Sequence, residues 1–384
     1  MAFTGKATYS AGVNLPELAE DVADVVAIVS PFETPLLNAL GDPLRSAMST
    51  YHEWLEDSLL PNKDAVNDST FGNPQADTQF DVGHGARFQA GDQIQVGGSE
   101  ELMLVTAVNG DTLTVVRGYA GTTAESLANG QGINILGNAA LEGADKPKAR
   151  FTNRVRKGNA TQIFTAAVEV SGSDLAARQA GLADELDYQK QERLREMLRD
   201  LENTVINGGQ PASNPQGSET VRRTLKGIVQ HLQTNVFHPG DSGFPAGDDL
   251  DEEKLNYVLR QIWESSSGNV DLIVVSGAQK RRINAFMSSN RSFGSADRKY
   301  TDLVSTYESD FGLCKIIVSR WVPRDAVLLL DGSRAAVLPL AGRSFHYKPL
   351  APSGDYECGQ LIGEYTLELR NEEAHGCIRG LSLA

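Results

Sequence analysis

The chain is short of several things that would point to an enzyme or a membrane protein. Among 384 residues there are three cysteines, Cys314, Cys358 and Cys377. They lie far apart, and no Cys-x-x-Cys occurs. This excludes a disulfide framework as the organising principle, and a reducing site of synthesis is expected. No apolar run approaches the ~18 residues of a membrane-spanning helix. The first residues, "MAFTGKATYSAG", have no apolar signal core. A soluble protein, not exported by that route and not associated with a membrane, is therefore expected. Positive charge is also in deficit. Lys and Arg number 35 against 50 Asp and Glu, a net charge of −15. That balance argues against a surface devoted to gripping nucleic acid, although it leaves room for a locally basic face.

Catalytic signatures are missing too. "TVVRGYAGTTAESLANG" (114–130) combines Arg117 with glycines, but it lacks the Gly-x4-Gly-Lys-Ser/Thr of a phosphate-binding loop. Its surroundings read as short strands, with Asn109-Gly110-Asp111 as a hairpin turn. The glycines are then turn formers. "PGDSGFP" (239–245) resembles the surroundings of a protease nucleophile at Ser242. However, His52, His84, His231 and His238 upstream sit in no recognisable base motif. Asp248, Asp249, Asp251, Glu252 and Glu253 lack the order of a calcium loop and read as an acidic helix start. His375 and Cys377 are two potential ligands without a zinc pattern. "HEW" (52–54) has Glu56 where a second zinc-binding His would stand. No catalytic, cofactor-binding or metal-binding residue is expected.

What is present is an ordered series of structural pieces. Hydrophobic residues make up 40% of the chain, enough for a packed core. In "PELAEDVADVVAIVS", Leu18, Val22, Val25, Val26 and Val29 form one apolar stripe. A short helix follows, with Thr34 as its cap, Pro35 at its first position and Gly41 at its end. Such short helices cannot stabilise themselves and need something to lie on. "TYHEWLEDSLL" (50–60) reads as extended, with a partner expected within 145–172. Between them, residues 81–140 read as a small antiparallel β module. The plainest element is a helix over ~182–206, with Leu182, Leu186, Leu194, Met197, Leu198, Leu201 and Val205 on one face and Asn207-Gly208-Gly209 as its stop. After it come a helix at "DEEKLNYVLRQIWESS", a buried strand at "VDLIVVSG", a helix capped by Ser276, and several strands. The fold class is α+β.

Basic residues gather in places. Arg150, Arg154, Arg156 and Lys157 line the second half of the extended region, and Arg281, Arg282, Arg291, Arg298 and Lys299 form another group. In an acidic protein such a loop can meet an acidic neighbour, lie in solvent or touch nucleic acid. The first is the reading preferred here.

The order of these pieces resembles the tailed-phage major capsid proteins of the Hong Kong 97 fold. The stretches that carry the resemblance are "MSTYHEWLEDSLL" (48–60), "RVRKGNATQIFTAAVEVSGS" (154–173) and "ELDYQKQERLREMLRDLENTVINGG" (185–209). They are similar to the two arms of the extended loop and the spine helix. "VVRGYAGTTAES" is similar to part of a β domain that some members carry within that loop. The resemblance implies an N-terminal arm at 1–50 and extended-loop arms at 51–80 and 141–172 around an inserted β domain at 81–140. It further implies a spine helix and peripheral domain at 173–219, an axial domain at 220–345 and returning peripheral strands at 346–384. Trp54, Arg154, Arg156, Lys157 and Phe164, within the loop arms, are the candidate subunit-contact residues. The implied function is self-assembly, as hexamers and pentamers, into an icosahedral shell enclosing double-stranded DNA without sequence-specific binding. The implied partners are portal, scaffolding and decoration proteins. The implied location is the virion, after synthesis in the host cytoplasm. Because the chain starts almost at its arm, a scaffold would be separate or already removed. Some members crosslink a Lys to an Asn, and Lys157 and Asn159 are near the loop, though nothing singles them out. Alternatives are a nanocompartment shell of the same fold, a decoration or tail protein, and a hydrolase using Ser242.

Overall fold

The computed structural model describes residues 33–43, 45–147, 149–176, 185–290 and 306–383. The apolar stripe expected over 16–30, and Arg291, Arg298 and Lys299, lie outside the described residues. The elements in chain order begin with helix α1 (Pro35–Leu40), strand β1 (Tyr51–Glu56), β2 (Lys63–Ala65), β3 (Gln79–Asp81), β4 (Asp92–Val96), β5 (Leu102–Asn109), β6 (Thr112–Tyr119) and β7 (Gly132–Asn138). Then come β8 (Val155–Ala160), β9 (Gln162–Ser171), α2 (Gly172–Ala176), α3 (Glu185–Asn207), α4 (Ile228–His231), β10 (Val236–Phe237), α5 (Glu252–Ser265), β11 (Leu272–Val275) and α6 (Gly277–Asn290). The series ends with β12 (Thr306–Ser309), β13 (Gly312–Val318), β14 (Val327–Leu330), β15 (Ala335–Pro339), β16 (His346–Leu350), β17 (Tyr356–Leu369) and β18 (Gly376–Ile378). These form two compact units. One is Leu55–Val155 and the other is the rest of the chain.

The unit Leu55–Val155 is an antiparallel sheet in the order β2-β7-β4-β5-β6-β3. Its two outer strands meet. Val66, just after β2, bridges Val82, just after β3. The N–H of Asn67 donates to the Asp81 carbonyl at 2.8 Å, and that of Gly83 to the Ala65 carbonyl at 3.0 Å. The sheet is therefore a closed six-stranded barrel. The alternating inward residues Phe80, Ile94, Val96, Met103, Val105, Leu113, Val115 and Ile133 fill it. The expected span 81–140 leaves out β2 and β3, because a three-residue strand carries too little periodicity to read. The β5–β6 hairpin turns on Gly110 and Asp111, with Asn109 paired to Thr112. Gly110 has φ +61° at the first loop position, so glycine rather than the preceding Asn makes the turn.

Arg117, the basic residue of the glycine-rich stretch, is turned inward. Its Nε and one terminal nitrogen each donate to Glu101 at 2.8 Å, and the other terminal nitrogen reaches the carbonyls of Pro74 and Asp77. Glu101 also accepts from the N–H groups of Gly118 and Glu125, both at 2.9 Å. Burial alone would raise the Glu101 pKa, but these donors outweigh it and hold the carboxyl below its usual range. The guanidinium is a strut for three loops, which is why Arg stands among glycines there.

In the other unit, β17 is the longest strand. β9 pairs along Tyr356–Tyr365 on one side, and β16 and β15 share the other. The second sheet runs β10-β18-β14-β11-β13-β12. Its central strands are apolar on both faces because each face has its own core. Leu272, Val274, Leu328, Leu330 and Cys377 join the cluster with α3, β9 and β17. Ile273, Val275, Val327, Leu329 and Ile378 join the cluster with α5. Helix α3 is 23 residues, about 34 Å long at 1.5 Å per residue. Met197, Leu201, Val205 and Ile206 are its buried side.

Several pairings differ from the expected layout. β9, expected in a loop arm, is a full member of the β17 sheet. β15, expected with the axial lobe, pairs with β17. β18, expected among the returning strands, lies between β10 and β14. The reason is that strand partners are set by tertiary packing, which sequence order does not carry. Ser276 does not cap α6, since its hydroxyl donates to the Arg324 carbonyl at 3.2 Å.

The Arg117–Glu101 pair gives the first prediction. Arg117→Met leaves a buried carboxylate without its counter-charge and should cost about 3–5 kcal/mol. Urea unfolding followed by exchange of barrel amides would read this. A loss under ~1 kcal/mol would show that the strut is dispensable.

Candidate inter-subunit surface

Three buried carboxylates organise the surface where the arm and the loop strands meet the main lobe. Glu202 on α3 is 0% exposed, Glu364 on β17 is 2% and Glu368 on β17 is 1%. Glu202 accepts from the N–H groups of Leu36 and Leu37, both at 3.3 Å, and from the Ser319 hydroxyl at 3.0 Å. It thus caps helix α1 from a distance of 165 residues. Thr34, the expected cap, makes no side-chain cap bond, whereas Pro35 and Gly41 take the expected first and last places. A distant carboxylate replaces the local hydroxyl because it also offsets the positive end of the helix.

Glu368 receives the Arg45 guanidinium at 2.6 Å and the His52 Nε2 at 2.7 Å, and Arg370 forms an ion pair with it at 2.9 Å. Glu364 receives the Thr161 hydroxyl at 2.6 Å, Arg223 at 2.5 Å and Arg343 at 2.7 Å. Between them, the Thr366 hydroxyl donates to the Ala160 carbonyl at 3.0 Å. The face of β17 formed by Glu364, Thr366 and Glu368 thus clips the arm through Arg45, β1 through His52 and the β8–β9 corner through Thr161. Burial would raise the Glu368 pKa, but the bonds from His52 and Arg45 prevail and lower it. For Glu202 burial prevails, and its pKa is raised.

β1 and β8 pair as a two-stranded ribbon. Gly158 makes this possible, since a Cβ there would meet Tyr51 Cε1 at 2.7 Å and the His52 carbonyl oxygen at 2.8 Å. Asn159 ties the ribbon down. Its amide nitrogen donates to the carbonyls of Lys226 and Leu367, and its oxygen accepts from the Lys226 N–H at 2.8 Å. It is 0% exposed, so its amide is closed to attack by a lysine and does not suit a crosslink.

The five candidate contact residues divide. Arg154, Arg156 and Lys157 are exposed. Arg156 makes only a 3.6 Å ion pair with exposed Glu53, an arrangement worth little in water. Trp54 and Phe164 are buried within the chain's own fold. Trp54 has the His52 ring at 6.0 Å and stacks on His231 at 6.3 Å. Phe164 packs edge-on against Phe345 in the α3 core. Their hydrophobic surface is already covered, which removes both from the exposed contact set. Sequence reading missed the three carboxylates. The alternation Glu364-Tyr-Thr366-Leu-Glu368 has the signature of a strand with one wet face, and only the distant arginines make that face dry.

Other candidates have structural partners. His375 is 0% exposed, accepts from the Asp331 N–H at Nδ1 (3.1 Å) and donates from Nε2 to the Arg370 carbonyl (3.2 Å). The "PGDSGFP" loop is fastened by Phe244, which lies between Phe237 and Tyr257 at 5.8 and 5.4 Å. Asp251 caps α5 through the Lys254 N–H at 2.8 Å. Among the described residues no helix is long and apolar enough to cross a membrane.

A long helix laid along a β17-centred sheet, a second two-cored sheet, a ribbon clipped to the lobe and a separate β unit together call for comparison with shell proteins. The model of the SU10 major capsid protein family matches residues 3–382. The chain belongs to that family. It is a phage major capsid protein, and its place is the virion capsid. The major capsid protein of Escherichia phage Phieco32 is 24% identical over 303 residues, which cover 67% of this chain and 83% of that protein. Among solved structures, the capsid of Myoviridae phage XM1 matches with TM-score 0.53 and 9% identity, over 97% of this chain and 100% of that one. The cyanophage A-1(L) capsid asymmetric unit matches with TM-score 0.53 and 10% identity, over 96% and 98%. At these identities the likeness is one of fold, a mixed α+β capsid-protein fold.

Two predictions follow from the carboxylates of this capsid protein. Glu202→Ala leaves the first N–H groups of α1 without an acceptor. Exchange at Leu36 and Leu37 should rise about tenfold or more, equivalent to roughly 1–3 kcal/mol. Unchanged exchange would mean the arm is held elsewhere. The pH dependence has two signs. Glu368, with its lowered pKa, contributes stability above its unfolded value near 4.5 that is lost as pH falls below it. Glu202, with its raised pKa, contributes most below 4.5 and less as pH rises through its folded value. Thermal unfolding of Glu368→Gln should therefore show a flatter acid limb than the parent, and an identical acid limb would refute the assignment.

Proposed function

We propose that this capsid protein assembles, as hexamers and pentamers, into an icosahedral shell around the double-stranded DNA of a tailed phage, with a structural and not an enzymatic role. In this reading residues 1–50 are the arm, and 51–80 with 141–172 form the extended loop. The barrel is the domain inserted in that loop. Helix α3 and the β17 sheet belong to the peripheral domain, and the six-stranded sheet belongs to the axial domain. Synthesis is in the host cytoplasm, and portal, scaffolding and decoration proteins are the partners such a shell calls for.

The observation that carries this reading is the apolar surface left on the stretches flanking the barrel. Leu59 is 90% exposed, Leu141 84% and Phe151 81%, with Leu55, Leu60 and Val155 exposed beside them. A lone subunit has no use for such surface, whereas a shell buries it. The exposed Arg154, Arg156 and Lys157 continue it with positive charge, which suits the acidic surface of a second copy of this −15 chain.

Negative-stain electron microscopy with light scattering on the purified protein tests the reading, with closed shells or capsomer rings expected. The double variant R156E/K157E should keep the parent's thermal stability, since both side chains are exposed, and lower the assembled fraction severalfold. Persistent monomers of the parent at high concentration, with crowding and with salt, would count against assembly. Undiminished assembly of the variant would remove this basic strand from the contact.

A further inference from the structure

One half-buried histidine at the ribbon root has a ring nitrogen without a hydrogen bond. His231 ends α4, and its Nδ1 is buried with no hydrogen bond. Its ring stacks on Trp54, which also has the His52 ring of the same strand 6.0 Å away. The imidazole thus touches β1 through a stacked ring contact with Trp54. A proton on it adds a positive charge in a largely desolvated place beside Lys226, at a cost that the backbone groups of Lys226 and Gly227 near the ring do not offset.

The charged groups around it favour the neutral form. Lys226 stands beside it. Lys157, on β8, acts on both Lys226 and Glu372. Glu372 is the one carboxylate that acts on the imidazole, and it is already engaged by the N–H groups of Gln233 and Thr234 and the Thr234 hydroxyl. His52, beyond Trp54, is bound to Glu368 at 2.7 Å. Helix α3, which packs on α4, contributes the buried apolar residues Val205 and Ile206 there.

We propose that His231 is a proton-operated latch, and that uptake of a proton by its imidazole releases β1 residues 51–54 from the lobe. In the closed state burial, followed by the Lys226 charge, lowers the His231 pKa from 6.5 to about 4. In the released state the ring is solvated and titrates normally. Closed-state occupancy therefore rests on a neutral ring, is complete above pH 6.5, and is lost as pH falls from 6.5 towards 4. The step moves one proton from solvent to an imidazole nitrogen and needs no other reactant.

The test is amide exchange, corrected for the intrinsic pH dependence, at residues 51–54 and 156–160 of the full chain. Between pH 8 and pH 5 protection should fall by about thirtyfold, while α3 and the β17 sheet stay protected. His231→Gln should keep ribbon protection flat across that range. Lys226→Met removes the neighbouring positive charge but keeps the backbone bonds to Asn159. It makes the closed-state imidazole easier to protonate, so the loss of protection at pH 5 should be severalfold smaller than the parent's. That smaller loss is a readout that a merely packing role for His231 would not give, and it carries the test if His231→Gln fails to fold. Parent protection that does not change between pH 8 and 5 would overturn the latch. So would the same loss in His231→Gln, which would place the proton on the His52–Glu368 pair, or an undiminished loss at pH 5 in Lys226→Met.

Discussion

Everything at the edge of the main lobe depends on keeping three carboxylates ionised or bonded in a dry place. A buried, unpaired carboxylate costs several kcal/mol. Glu202, Glu364 and Glu368 are therefore tolerable only if donors arrive from elsewhere in the chain. The donors that arrive are the N–H groups of α1, Arg45, His52, Thr161, Arg223 and Arg343. Segments that could not fold alone are thereby recruited by an electrostatic demand of the lobe. A six-residue helix such as α1 has too few internal bonds to persist in water, and Glu202 gives it a reason to stay. The arrangement is also directional, because a carboxylate accepts from a fixed geometry where a hydrophobic contact would allow sliding.

The same demand explains why β17 is long. Its first ten residues pair with β9 and its last five with β15. One face of the strand joins the α3 core, and the other carries Glu364, Thr366 and Glu368. The second sheet, with apolar residues on both faces, then shares Leu272, Val274 and Leu328 with that core. Helix α3 has to serve a core with its apolar stripe and an anchor with Glu202, which sits one residue after Leu201 on the same buried side. A charged residue within an apolar stripe is a signal in itself, although periodicity alone scores it as noise.

The sequence was legible where a pattern is local. Helix α3 ends at the Asn-Gly-Gly stop. Strands β4 to β7 fall where alternation and the Gly110 turn put them, and Asp251 opens α5 at the acidic run. It was illegible where meaning depends on contacts between residues far apart in sequence. Thr34 was the better local cap, and a carboxylate 165 residues away took its place. Trp54 and Phe164 looked like contact residues because each lies in an extended stretch, but burial is a property of what covers a strand. Arg154, Arg156 and Lys157 remained exposed because, among the described residues, no buried carboxylate takes a hydrogen bond from them; Lys157 acts on Glu372 only through space, and Arg156 pairs loosely with exposed Glu53. The same chemistry that drew Arg45 and Arg223 inward thus accounts for which basic residues are left over.

The closed barrel illustrates a constraint on any subunit meant to associate through chosen surfaces. Open sheet edges pair indiscriminately, since unpaired N–H and C=O groups accept any extended partner. The Val66–Val82 bridge removes both edges of this sheet with one contact and two flanking hydrogen bonds. Glu101 and Arg117 lock three loops of the same unit to one another. What the unit then presents to its surroundings is side chains and not backbone. Specificity among like copies requires that difference, because side-chain chemistry can discriminate between partners and backbone pairing cannot.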